Sequence, residues 1–218
     1  MALALFDLDN TLLAGDSDYL WGVFLVEKGL VDANLYEAAN QRFYKQYAEG
    51  ELDIHEFLNF SLNPLSLIAT ETLNELHDEF MEKHIRPLMT KIGQEKVDLH
   101  KQACDTTIII TATNSFVTAP IADAFGVEHL IATEPELIDG KYTGKVAGTP
   151  SFQQGKITRL NDWMTKNNKS LMGSTFYSDS HNDLPLLEIV DKPIAVDPDD
   201  TLRDVAEEKN WQVMSFRR

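Results

Sequence analysis

The sequence predicts an α/β protein, a doubly wound parallel sheet interrupted directly after its first strand by a helical cap. Three observations predict it. Short apolar runs such as Leu3-Ala4-Leu5-Phe6 and Thr106 to Ile110 read as buried strands. Over the second half of the chain such runs alternate with segments of helical periodicity, the pattern of a sheet whose crossovers are helices. Between about Tyr19 and Leu88 the periodicity is helical with little strand signal, which predicts a separate helical block inserted into that alternation.

Taken in order, the first strand, Leu3 to Phe6, ends in the polar turn Asp7-Leu8-Asp9-Asn10-Thr11. In the helical block Tyr36, Ala39, Phe43 and Tyr47 recur at helical spacing, as do Leu73, Leu76 and Phe80. Asp53 with Glu56 and Thr72 with Glu75 have the spacing of capping boxes, and Pro64 and Pro87 predict breaks. The strand Thr106 to Ile110 is followed by a helix from Phe116 to Phe125 that stops near Gly126. Asp139-Gly140, between Leu137-Ile138 and Lys141-Tyr142-Thr143, predicts a hairpin. Ile157 to Met164 reads as a helix and Thr175 to Tyr177 as a short strand. An apolar helix over Leu186 to Val190 and strands over Pro193 to Val196 and Gln212 to Met214 complete the pattern. The expected division is an α/β core of residues 1–14 and 89–218 and a helical cap of residues 15–88.

The 218 residues suffice for one large domain or a domain with a modest insertion. No apolar stretch approaches the roughly 20 residues that span a bilayer, and the N-terminus lacks the pattern of a secretory signal. The single cysteine, Cys104, excludes an intrachain disulfide. A cytoplasmic protein is expected, and a homodimer is compatible with the chain. The net charge of −16, from 19 basic and 35 acidic side chains, argues against nucleic acid and anionic membranes as partners. An anionic substrate would need a metal cation and local donors to reverse that field.

Four polar groups fall where a strand ends or a helix begins, the place at which open α/β sheets bind ligands. Asp7 and Asp9, two apart on an extended segment, point the same way; one carboxylate could attack phosphorus while the other handles a proton. The same residues with Asn10 and Thr11 also suit a turn or helix cap. In Thr111-Ala112-Thr113-Asn114 a hydroxyl and the N–H groups of a helix start could hold phosphoryl oxygens, and Thr113 or Asn114 equally suits a cap. Lys156, after Gly155, could neutralise charge on a nucleophile and a phosphoryl group together. Asp179 and Asp183, in Ser178-Asp179-Ser180-His181-Asn182-Asp183-Leu184-Pro185, could join Asp7 around Mg²⁺, a hard cation that takes a few carboxylates and keeps waters.

Together these groups resemble the haloacid dehalogenase superfamily of phosphohydrolases, whose order is Asp-x-Asp-x-Thr, Ser or Thr, Lys, and an acidic loop. All four motifs occur in that order between residues 6 and 187, and the helical block after the first motif is similar to the phosphoserine-phosphatase-like branch. The resemblance implies that Asp7 is the nucleophile and a metal ligand, and that Asp9 is the acid and base and gives its backbone carbonyl to the metal. It implies that Thr111, with Ala112, Asn114 and Lys156, holds the phosphoryl group, and that Asp179 and Asp183 serve Mg²⁺. Asp16 matches the acidic residue that meets a substrate amine in phosphoserine phosphatases. The arginine that meets the substrate carboxylate in those enzymes is missing around Asn59 to Asn63; the only cap arginines are Arg42 and Arg86, and neither fits that place. The expected reaction is therefore hydrolysis of a small phosphate monoester through an aspartyl phosphate, with histidinol phosphate or a similar amine-bearing ester ahead of phosphoserine. A receiver-type phosphoacceptor domain is the rival of another class; Asp9 and the cap speak against it. A phosphomutase on the same scaffold would return an isomer rather than phosphate.

Overall fold

The computed structural model describes residues 2–217. Its strands are β1 (Leu3–Phe6), β2 (Thr106–Asn114), β3 (His129–Ile138), β4 (Lys141–Ala147), β5 (Thr175–Ser178), β6 (Lys192–Val196) and β7 (Gln212–Met214). They form one sheet in the order β4-β3-β2-β1-β5-β6-β7, parallel throughout except for the β3–β4 hairpin. Phe6 lies opposite Ile109 of β2 on one side and Tyr177 of β5 on the other. The chain winds outward from β1 in both directions, so the carboxyl end of β1 is the switch point where the loops diverge and leave a crevice.

Alternate residues of the strands face two apolar layers. Ala4, Phe6, Ile109 and Tyr177 pack with Val97 of α5 (Lys91–Gln102) and with Val117 and Ile121 of α6 (Ser115–Phe125). Leu3, Leu5, Ile108, Ile110 and Phe176 pack with α7 (Gln154–Asn167), α8 (Leu184–Leu187) and α9 (Asp200–Glu208) through Leu160, Leu186, Leu187 and Leu202. Both faces of β1 are therefore dry, which is why it carries no polar alternation. Truncating a fully buried residue such as Phe6 to alanine would cost about 3–5 kcal/mol.

Between β1 and α5 the chain makes α1 (Ser17–Glu27), α2 (Ala33–Ala48), α3 (Ile54–Leu67) and α4 (Thr70–Phe80). It leaves and re-enters the core on two adjoining strands: the Ala14 N–H donates to the Leu88 carbonyl at 2.8 Å and the Thr90 N–H to the Leu12 carbonyl at 3.1 Å. Trp21 of α1 packs edge-on against Phe80 and Phe116, at 5.2 and 5.4 Å between ring centroids, fastening α1 and α4 to α6. The outer pair, α2 and α3, is held by Tyr36 on Phe60 and Phe43 on Phe57. The β3–β4 hairpin leans on α3 at Gly144, where a φ of +78° and the nearness of Ser66 and the Asn63 backbone exclude a side chain. No helix among the described residues is long and apolar enough to cross a membrane.

Several local expectations are corrected. Pro64 does not break its helix; it lies in the last turn of α3, where its ring is buried beside Leu65 and forgoes a single backbone bond. Thr72 is not a cap, because α4 already begins at Thr70. Asp53 does cap α3 through the N–H groups of His55 and Glu56, but Glu56 turns outward to Arg42 instead of completing the box. The apolar helix expected over Leu186 to Val190 is the single turn α8, with Pro185 in its first turn. Strand β2 continues through Asn114, so the second polar group lies on the strand itself, and Asn114 is the residue that caps α6.

Candidate active site

At the end of β1 the chain carries Asp7 into the crevice in extended geometry, its N–H bonded to the Tyr177 carbonyl at 2.9 Å. One wide turn, Leu8–Leu12, follows; the left-handed φ of 58° falls on Asn10, a residue type that tolerates it. Leu8 and Leu12 are fully buried and anchor the turn between them.

Lys156 enters from the first turn of α7. Gly155 permits this, since a Cβ there would collide with the Pro150 carbonyl. The ammonium is 2.8 Å from Asp7 Oδ1 and 2.7 Å from Asp183 Oδ1, and all three side chains are buried. Asp183 Oδ2 also accepts from the Ser178 hydroxyl at 2.7 Å. Burial by itself lowers the Lys156 ammonium, but Asp183 and Asp7 outweigh it and hold it above its ordinary value. Burial lifts the Asp7 carboxyl to about 7; Lys156 opposes the rise and the charges of Asp183 and Asp9 add to it. One cation is thus shared by two anions.

Asp9 turns to other donors. Its Oδ1 accepts from the Ser17 N–H at the start of α1 at 2.6 Å, and its Oδ2 from the Thr113 hydroxyl at 2.7 Å. Burial raises this carboxyl to about 6, with Asp16 adding to the rise and the Ser17 and Thr113 hydrogen bonds tempering it. Such a group can give a proton near neutral pH and take one back.

Asp179, at the end of β5, reaches the same crevice. Its N–H donates to Thr11 Oγ1 at 3.1 Å, and Thr11 Oγ1 lies 3.0 Å from Asp179 Oδ1 and 3.4 Å from Asp7 Oδ2. One hydroxyl proton cannot serve two carboxylates, so a negative charge between Asp7 and Asp179 is left unmatched. Burial, and then repulsion by Asp7, accordingly push Asp179 well above the usual carboxylate range. Among the described residues no three His, Cys, Asp or Glu side chains form a ready metal cage. Mg²⁺ does not require one: it is held by one or two carboxylates and keeps several waters. Asp7 and Asp179, whose facing oxygens share one hydroxyl proton and more negative charge than Lys156 offsets, are a donor set that fits it.

The other predicted residues take distinct places. Thr111 is buried two positions beyond Ile109, its hydroxyl accepting from the Thr113 N–H at 3.2 Å. The Ala112 carbonyl accepts from the Thr133 hydroxyl at 2.7 Å. Asn114 spends its oxygen on the Val117 N–H and its amide on Asp18 at 3.3 Å, so its side chain is engaged away from Lys156. Asp16 caps α1 through the Tyr19 N–H at 2.9 Å. Sequence reasoning passed over Thr113, Ser178 and the Ser17 N–H as partners of the carboxylates; single Ser and Thr residues carry no periodic signal. It also gave no site role to Tyr47, whose hydroxyl donates to Ser180 Oγ at 2.9 Å and brings the end of α2 onto the acidic loop.

A family model described as haloacid dehalogenase-like hydrolase matches residues 4–188. The chain is 48% identical to a histidinol-phosphatase of Neisseria meningitidis serogroup C (strain 8013), over 99% of each chain. It is 29% identical to the phosphoserine phosphatase SerB1 of Mycobacterium tuberculosis (strain ATCC 25618 / H37Rv), over 99% of this chain and 71% of that one. Among solved structures, a protein of unknown function from Bordetella pertussis Tohama I matches with a TM-score of 0.93 and 46% identity, over 99% of this chain and 98% of that one. A substrate-bound phosphoserine phosphatase matches in fold, with a TM-score of 0.71 at 18% identity, over 100% of this chain and 93% of that one.

Proposed function

The chain belongs to the haloacid dehalogenase-like hydrolases, and from that premise we propose that it is a Mg²⁺-dependent phosphomonoesterase that works through an aspartyl phosphate on Asp7. The observation that carries the reading is the division of labour between two carboxyls. Asp7 is pinned by Lys156, and Asp9 is held apart from that ammonium by Thr113 and the Ser17 N–H. Asp7 attacks phosphorus while Asp9 gives its proton to the departing alcohol oxygen; Asp9 then takes a proton from the water that hydrolyses the acyl phosphate. Lys156 and Thr111 hold the phosphoryl oxygens, and Asp183 keeps Lys156 charged and in place. Mg²⁺, held by Asp7, Asp179 and the Asp9 carbonyl with its own waters, would offset charge on the phosphoryl oxygens. Residues 15–88 act as the lid that excludes water during chemistry.

The substrate is an amine-bearing ester, best matched by histidinol phosphate. The relative named histidinol-phosphatase supports this, as does the partly buried acid Asp16 near Asp9. A substrate carboxylate would need a cation, yet Arg42 is paired with Glu56 and Arg86 with Glu82. This disfavours phosphoserine. The reaction would be a cytoplasmic one.

The test is a panel of esters assayed with Mg²⁺, with Asp7→Asn as control. The expected result is a higher kcat/KM for histidinol phosphate than for phosphoserine, and no turnover by Asp7→Asn. Turnover by a chemically homogeneous Asp7→Asn sample would sink the covalent mechanism, and preference for phosphoserine would sink the substrate assignment.

A further inference from the structure

Where the cap meets the acidic loop, Tyr47 makes polar contact with the core through both its side chain and its backbone. It lies in the last turn of α2. Tyr47 keeps 36% of its surface exposed, yet its hydroxyl turns inward and donates at 2.9 Å to Oγ of Ser180, which is 4% exposed. Burial, and then the charges of Asp179, Asp183 and Asp7, hold the phenol well above its usual range, so it remains a donor. Its carbonyl, at the helix end where such groups lack helical partners, accepts from Asn182 Nδ2 at 3.3 Å. The ring also meets Phe152, at 6.2 Å between centroids.

Both contacts fall on groups that already order the site. Ser180 directly follows Asp179. Its Oγ accepts from the Asn182 N–H at 3.2 Å and so opens the turn His181–Asp183, which aims Asp183 at Lys156. Buried Asn182 in turn accepts with its oxygen from Gln153 Nε2 at 2.9 Å. Gln153 immediately precedes α7, and its carbonyl accepts from the Lys156 N–H at 3.1 Å. The Gln153 backbone is strained: a φ of 45° with a ψ of −119° is a conformation that glycine favours. For another residue it costs about 1–3 kcal/mol and persists only where the surroundings fix it. The bond to Asn182 is one that does. A single amide thus joins the end of α2 to the turn that begins the Lys156 helix.

We propose that Tyr47 is a positioning residue for phosphoryl transfer: with the cap seated, its hydroxyl and carbonyl fix Ser180 and Asn182, and through them the places of Asp179, Asp183 and Lys156. Tyr47 itself touches no reacting atom. This deepens the aspartyl-phosphate reading above and rests on it. Its consequence is that chemistry reaches full rate only while the end of α2 is docked, because the hydrogen bonds that dock the cap also order the acidic loop. The competing account is that Tyr47 merely anchors a helix end.

The test is Tyr47→Phe, which keeps the ring on Phe152 and removes only the hydroxyl. Asp179, Asp183 and Lys156 serve every ester. With Mg²⁺, kcat should therefore fall about 3- to 10-fold on p-nitrophenyl phosphate and histidinol phosphate alike, with KM within about twofold of wild type. The Mg²⁺ concentration for half-maximal activity should rise at least about threefold. Tyr47→Phe combined with Ser180→Ala should be no more than about twofold slower than Ser180→Ala alone, since both act through one hydrogen bond. Amide deuterium exchange reads the loop without catalysis: residues 178–187 should exchange faster in Tyr47→Phe, while the β3–β4 hairpin is unchanged. A wild-type kcat and Mg²⁺ titration in Tyr47→Phe would overturn the proposal, even with a lowered Tm, and so would wild-type exchange in the loop. A raised kcat would mark a brake on lid opening, and a loss confined to KM for one ester would mark a substrate contact; either overturns it. A wild type that hydrolyses no phosphate ester with Mg²⁺ refutes the phosphatase reading and this role with it, whereas an active wild type with an unaffected variant overturns the role alone.

Discussion

Replacing Lys156 with methionine, which is apolar and of similar length, tests the charge arrangement most directly. The ammonium is 2.8 Å from Asp7 Oδ1 and 2.7 Å from Asp183 Oδ1, with 3% of the residue exposed. At an effective dielectric near 20, each contact corresponds to roughly 6 kcal/mol of attraction. Desolvating each ion costs several kcal/mol, so the intact trio nets little. Removing the cation is different, because two buried carboxylates then face each other unpaired. The expected loss is about 3–5 kcal/mol at pH 8. It must depend on pH in a definite sense. A carboxyl whose folded pKa lies above its unfolded value contributes stability below the unfolded value and loses it as pH rises through the folded one. For Asp7 that window runs from 3.8 to about 7, and without Lys156 it extends further upward. Urea unfolding with a chelator present should therefore show a smaller deficit at pH 6 than at pH 8. Asp183→Asn removes one of the two anions, so the double variant should recover at least about 1 kcal/mol over Lys156→Met alone. A deficit under about 1 kcal/mol at pH 8, or one that does not change with pH, would refute the buried-trio account.

Three further outcomes are expected. Asp179→Ala should raise the Mg²⁺ concentration needed for half-maximal activity at least tenfold, and a titration that overlays wild type would exclude Asp179 as a ligand. Thr113→Val removes the 2.7 Å bond to Asp9 without changing shape; kcat for an ester with a poor leaving group should fall about 10- to 100-fold, and less for p-nitrophenyl phosphate, whose phenolate needs little protonation. Burial holds the His77 imidazole below 6.5, with Nε2 2.9 Å from the Val117 carbonyl and Nδ1 unpartnered. Its stabilising contribution is intact above the unfolded value and fades as pH falls below about 6.5, so the stability gap between wild type and His77→Gln should shrink between pH 7.5 and 5.5; a constant gap would contradict this.

Much of the architecture was legible in one dimension, because burial of both sheet faces imposes apolar runs and helical crossovers impose their period. Leu3–Phe6, Gly126 after α6 and the Asp139-Gly140 turn are local features whose physics lies within a few residues. The failures were also local. Pro64 and the supposed box at Thr72 followed propensity, and packing of α3 and α4 overrode it, since burying a whole apolar face outweighs one missing bond or cap. By itself the sequence determined that acids, hydroxyls and one lysine would gather at the strand ends, because a parallel sheet delivers the residues that follow its strands to one edge. Which oxygen meets which donor was decided only by the tertiary structure. Thr113 reaches Asp9 across 104 positions and Lys156 reaches Asp7 across 149. Hydrogen bonds and ion pairs act over a few ångströms, and only the crossing of β1, β2, α7 and the acidic loop brings such distant residues within that range.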